Sequence, residues 1–202
     1  MLQTLVLIIA TATLAVPPLI LVTSGTATIS ATSTAIRLTG LLAFTLIFWN
    51  IMTGALSRRF YDLFRAKRVM AFHRVTGMLG FLLALAHGVM IITYGYLPGY
   101  SRIWIIGPIA IALLAVTILA ALNRRRLSRV WRNIHRINYA VFLLIYIKAV
   151  IIGTDLVSPG GSSFALKVVF SAYLGTVVIA LLFRASEAWK KKATHDSAPT
   201  TY

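Results

Sequence analysis

Six long apolar runs dominate this sequence: approximately Leu2–Val22, Ile36–Leu56, Ala71–Tyr94, Ile103–Leu122, Ile134–Ile152 and Phe164–Phe183. Each has the roughly 20 residues that a helix needs to cross about 30 Å of hydrocarbon. Within lipid the backbone must satisfy its own hydrogen bonds, which restricts such runs to helices. Of 202 residues, 59% are hydrophobic and 12% charged. A water-soluble globule of this size carries about 25% charged residues, so that class is excluded. The connections are short and polar, with Gly or Pro in several: Thr23–Thr34, Gly95–Gly99 and Ser158–Ser163. They read as tight loops, not domain linkers. No internal repeat stands out.

The 20 basic residues outnumber the 4 acidic ones, giving a net charge of +16. On a hydrophilic chain this excess would suggest nucleic acid; here its distribution argues otherwise. Sixteen of the basic residues fall on one side of a six-span arrangement. These are Arg58, Arg59, Arg65, Lys67, Arg68 and Arg74, the six arginines from Arg124 to Arg136, and Arg184 with Lys190–Lys192. The other side receives Arg37, Arg102, Lys148 and Lys167. The positive-inside rule then puts the second and fourth connections and both termini in the cytoplasm. Trp131 and Trp189 fall near the inner boundary, and Tyr94, Tyr96, Tyr100 and Trp104 near the outer one, as an aromatic belt requires.

The expected fold is therefore an all-α integral membrane protein: one six-helix transmembrane domain over residues 1–189, then a short polar, disordered cytoplasmic tail over 190–202. A multi-pass protein of a prokaryotic plasma membrane, in contact with lipid and not with nucleic acid, is the expected setting. A cleaved signal peptide is the alternative for the first span, although it lacks a basic leader and contains Pro17-Pro18. The chain has no cysteine, which excludes disulfides, iron–sulfur clusters and thiol nucleophiles.

Polar side chains inside spans are costly and mark function by default. The candidates are His73, His87, His135, Asn50, Asn138 and Lys148; His195 lies in the tail. His73 and His87 are 14 residues apart, about 40° short of four full turns and ~21 Å along the axis. Gly77, Gly80 and Ala84 lie between them on the same face. Such a strip suits either a wide, flat group against the helix or small-residue helix packing. On the fifth span the face of His135 continues through Tyr139, Phe142, Tyr146 and Ala149. This aromatic stripe is either ordinary packing or the wall of a cofactor site.

His73 and His135 both open helices at the cytoplasmic side, so they share a depth and can offer two axial nitrogens to a metal. Zinc usually takes three or four protein ligands. The acidic residues Asp62, Asp155, Glu187 and Asp196 fall outside the spans or at their edges. Two histidines alone suit an iron already held by four porphyrin nitrogens. Arg74, Arg132 and Arg136 at the same level could pair with haem propionates, or simply belong to the inner basic collar.

His73-x13-His87 on the third span, with Trp131-Arg132-Asn133-Ile134-His135-Arg136 opening the fifth, resembles the ferric reductase-like transmembrane domain superfamily. That superfamily includes the membrane domains of ferric reductases and NADPH oxidases, and the haem-binding MsrQ (YedZ) subunit of the methionine sulfoxide reductase system. The resemblance covers about Ile36–Gly153 and, more loosely, the last span. It implies a six-helix bundle holding b-type haem between the third and fifth spans, with His73 and His135 as the inner pair and His87 as an outer ligand. The fourth expected histidine is replaced by Lys148. A deprotonated lysine can ligate iron, but this one lies about a turn from the outer end, where it can snorkel to water, and about 140° from the His135 face.

The implied function is electron transfer within or across the membrane. The donor would be a separate flavoprotein, reduced flavin or quinol, since the chain carries no Gly-x-Gly-x-x-Gly motif and no flavin domain. Two other classes compete: a small transporter or channel with a path lined by His73, His87 and Lys148, and a scaffold subunit with a vestigial haem site.

Overall fold

The computed structural model describes residues 1–23, 30–94, 102–153, 156 and 161–196. The expected polar connections, with Tyr96, Tyr100 and Asp155, fall wholly or partly outside them. Seven α-helices are present among the described residues: α1 (Leu2–Thr23), α2 (Ala31–Ala55), α3 (Ser57–Leu63), α4 (Ala66–Thr93), α5 (Ile106–Leu122), α6 (Trp131–Ile152) and α7 (Gly161–Asp196). A single 3₁₀ turn, Arg102–Ile105, leads into α5. Six of the helices are long and apolar enough to cross a membrane, and they coincide with the six runs read from the sequence. The boundaries differ by a few residues at capped ends. Ser30, for example, starts α2 early by accepting the Ser33 N–H at 3.2 Å through its hydroxyl. The last helix also runs on through Asp196, into the stretch expected to be disordered.

The hub is α2, which packs against α1, α4, α6 and α7. Its apolar side chains are buried around much of the helix circumference: Leu41, Phe44, Ile47, Phe48, Trp49, Ile51 and Met52. A helix apolar all round belongs in the centre of a bundle. Behind it stands an aromatic core. The Phe44 ring stacks on Phe142 of α6 at 4.8 Å and 19°, and lies 4.4 Å from Phe170 of α7. Phe48 stacks on Tyr173 of α7 at 4.4 Å and 12°. The outward faces of α1, α4, α5 and α7 expose large apolar side chains such as Leu19, Val75, Leu119 and Ile179, which suits a lipid-facing surface.

The first residue of the Pro17-Pro18 pair, which in the sequence argued against a cleaved signal peptide, ties this span to the bundle. Pro17 has no N–H, so the carbonyl four residues earlier, Thr13, loses its helical partner. The Tyr173 hydroxyl of α7 donates to that carbonyl at 2.7 Å. On the same residue, Trp49 Nε1 of α2 donates to the Thr13 hydroxyl at 2.8 Å. Thr13 is therefore the junction of α1, α2 and α7. We expect Tyr173→Phe to cost about 0.5–1.5 kcal/mol in reversible unfolding in detergent. In a Pro17→Ala background the same substitution should cost less, because the restored N–H takes over the Thr13 carbonyl.

Candidate functional site

The polar groups of the third span meet the second span. Helices α2 and α4 run antiparallel in close contact, and two imidazoles of α4 reach main-chain carbonyls of α2. His73 Nδ1 lies 3.0 Å from the Asn50 carbonyl, and His87 Nδ1 lies 2.8 Å from the Ile36 carbonyl. A carbonyl can only accept, so these contacts assign the proton to Nδ1 in both rings, and at His73 the Asn50 Nδ2 amide also lies 3.3 Å from that nitrogen. Nε2 is then the lone-pair nitrogen of each neutral ring. Histidines that bind metals are commonly fixed in this way by a carbonyl or carboxylate on the other ring nitrogen.

Around His73 the contact is reciprocal. Asn50 Nδ2 donates to the His73 carbonyl at 2.5 Å, while the Asn50 carbonyl takes the His73 ring proton. The Thr53 hydroxyl sits 3.2 Å from the same Nδ1 and donates back to the Trp49 and Asn50 carbonyls at 2.8 and 3.0 Å. Its oxygen can therefore act as a second acceptor for the ring.

The glycine strip of α4 is filled. A Cβ on Gly77 would meet Asn50 Nδ2 at 2.7 Å, and one on Gly80 would meet Ile47 Cγ1 at 3.2 Å. The small residues let α2 approach and seat the Asn50 amide, as the small-residue packing alternative for this face describes. The aromatic stripe of α6 is also redirected. Phe142 is 1% exposed in the core against Phe44. The Tyr139 hydroxyl accepts from Arg184 of α7 at 3.0 Å, and the Tyr146 hydroxyl pairs with Ser171 of α7 at 3.0 Å. This stripe packs against α2 and α7, so it does not form a wall facing α4.

His135 does turn toward His73. Their ring centroids are 5.9 Å apart with planes at 68°, although α4 and α6 are not packed along one another: α4 rests on α2 and α5, and α6 on α5, α2 and α7. Among the described residues His135 Nδ1 is buried without a hydrogen-bond partner; the Thr117 backbone of α5 lies beside the ring. Asn138, one turn further along α6, accepts the Thr117 hydroxyl at 2.7 Å and so joins α6 to α5.

The remaining candidates are more dispersed. Lys148 is half-buried against α5, its Nζ 3.3 Å from where a Gly107 Cβ would stand. The arginines are exposed and engaged locally. Arg74 Nε donates to the Met70 carbonyl at 3.3 Å, Arg136 donates to Asn133 at 3.3 Å, and Arg132 lies 5.9 Å over the Trp131 ring.

Three residues of this site escaped the sequence reading: Gly40, Gly54 and Thr53. A Cβ on Gly40 would lie 2.8 Å from His87 Cε1, and one on Gly54 3.3 Å from His73 Cε1. The signal was a spacing. Thr39-Gly40 and Thr53-Gly54 are 14 residues apart, as are His87 and His73.

Fold and site define an all-helical, multi-pass membrane protein in which two half-buried imidazoles of the third span, His73 and His87, meet the backbone of the central helix. Compared with protein-family models, curated proteins and solved structures, the chain has no significant match.

Because the Asn50 side chain bridges α2 to α4, Asn50→Ala should lower stability by about 0.5–1.5 kcal/mol, since the His73 carbonyl loses the Asn50 amide but keeps the Thr76 hydroxyl. Unfolding in detergent reads this directly, with Asn133→Ala at the exposed start of α6 as the near-neutral reference.

Proposed function

We propose that this chain is a b-type haem-binding membrane protein that carries electrons, with His73 and His135 as the residues that would hold the iron. The observation that carries the reading is the pair of facing rings at 5.9 Å on helices that do not otherwise pack together. His73 supplies a lone pair on Nε2 because its other nitrogen donates to Asn50. His135 supplies a buried Nδ1 that has no hydrogen-bond partner among the described residues.

The donor set favours a metal that brings ligands of its own. Among the described residues no group of three or more His, Cys, Asp or Glu comes together, so a bare ion would lack protein ligands. A haem iron, already held by four porphyrin nitrogens, would need only two protein ligands, and such a group would supply single-electron redox chemistry at this site. The protein's part is to hold the imidazoles, exclude water and supply the cationic inner rim at Arg74, Arg132 and Arg136. This agrees with the resemblance to ferric reductase-like membrane domains.

The wider reading follows from the same assignment. The sixteen basic residues face the cytoplasm, with both termini, in a prokaryotic plasma membrane. Electrons enter on that side from a separate flavoprotein, reduced flavin or quinol. Lys148, seated against Gly107, is not a ligand.

Detergent-purified protein should show about one b-type haem per chain in a dithionite-reduced minus oxidised spectrum. His73→Ala and His135→Ala should each abolish it, and Lys148→Ala should retain it. Protein that stays colourless after haem addition overturns the reading. Orientation is testable separately because the chain has no cysteine of its own. Arg125→Cys should react with an impermeant maleimide in inverted vesicles only, and Trp104→Cys in right-side-out vesicles only.

A further inference from the structure

The second helix carries the same small construction twice. In each copy a carbonyl accepts an imidazole Nδ1–H from α4; a threonine three residues on bonds back to that carbonyl; and a glycine follows. The inner copy is Asn50, Thr53, Gly54 with His73. The outer copy is Ile36, Thr39, Gly40 with His87, where the Thr39 hydroxyl donates to the Ala35 and Ile36 carbonyls at 2.8 and 2.9 Å. The register is the same in both, since α2 and α4 are antiparallel and both pairs are spaced by 14 residues.

The glycine has a specific reason to be there. In an α-helix each Cα–Cβ bond tilts toward the N-terminus, so the side chain at i+4 overhangs the carbonyl of residue i. That carbonyl already receives the i+4 N–H, and the single threonine hydroxyl proton can go to the carbonyl one residue earlier, at 2.8 Å in both copies, which leaves a lone pair for the ring. Only with no side chain at i+4 can a ring from a neighbouring helix lie down on it. The distances grade the effect: a methyl group at Gly40 would stand 2.8 Å from His87 Cε1 and 3.0 Å from its Nδ1, whereas at Gly54 it would stand 3.3 Å from His73 Cε1. The outer ring must move; the inner one needs to give only slightly.

We propose that Gly40 and Gly54 are positioning residues that set the tautomer of His87 and His73. By uncovering the Ile36 and Asn50 carbonyls they hold each ring proton on Nδ1 and leave Nε2 as the nitrogen that can donate to a metal. The use of Nε2 at His73 rests on the haem reading above; the tautomer itself does not.

The test is nitrogen-15 NMR of full-length, histidine-labelled protein in detergent, prepared without haem at a pH where the rings are neutral. Signals are assigned with His73→Gln and His87→Gln. Both His73 and His87 should show a protonated Nδ1 and a bare Nε2. Gly40→Ala should remove the Nδ1–H signal of His87 and leave that of His73. Gly54→Val should do the reverse, with Gly54→Ala giving a smaller shift at His73 than Gly40→Ala gives at His87. An Nε2–H form of either ring in the unaltered protein overturns the proposal, as does an unchanged His87 in Gly40→Ala. If Gly40→Ala does not fold, the unaltered chain and the Gly54 variants still decide it. The expected tautomers in a chain that never takes up haem would sink the haem reading alone. A haem-loaded chain whose tautomers ignore both glycines would sink this proposal alone.

Discussion

An imidazole N–H placed among lipid-embedded helices has no water to turn to, so its acceptor has to come from the protein itself. Here the acceptor is a main-chain carbonyl of the neighbouring helix, and much else follows. To reach it, α4 must lie against α2 closely enough for side chains to touch backbone, which demands Gly77 and Gly80 on one helix and Gly40 and Gly54 on the other. Close approach buries α2, and a buried α2 can carry the aromatic core on its far side, where Phe44 and Phe48 meet α6 and α7.

The same logic of displaced carbonyls recurs at α1. A proline frees one acceptor, and a tyrosine from another helix claims it. In both places a local irregularity of sequence, glycine or proline, exposes a main-chain oxygen that a side chain of a different helix occupies. Where packing gains no help from expelling water, such polar contacts and close small-residue approaches are what hold helices in register.

The spans were legible because hydrophobic length is a property of each segment alone. The faces were less so. Periodicity placed His73, Gly77, Gly80 and His87 on one side of α4, and they are on one side; it did not say that Asn50 and Ile47 would fill the space between the rings. Likewise Tyr139, Phe142 and Tyr146 do share a face, but it looks toward α2 and α7. What a face meets depends on the order of helices around the bundle, which no single helix encodes. Asn50 was visible as a polar residue in a span, whereas its partner is a backbone atom and leaves no trace in the sequence. Gly40 and Gly54 become readable only when two spans are compared, through the shared interval of 14 residues.

That shared interval has a mechanical consequence. Two carbonyl–imidazole contacts separated by about four turns act like the two pins of a hinge plate: the spacing on one helix has to match the spacing on the other. A single residue inserted between Gly40 and Gly54 would turn one pin by about 100° relative to the other and advance it by about 1.5 Å. Only a matching insertion between His73 and His87 could restore the fit. The lengths of these two helical segments are thus locked together, and either can change in descent only when the other changes with it.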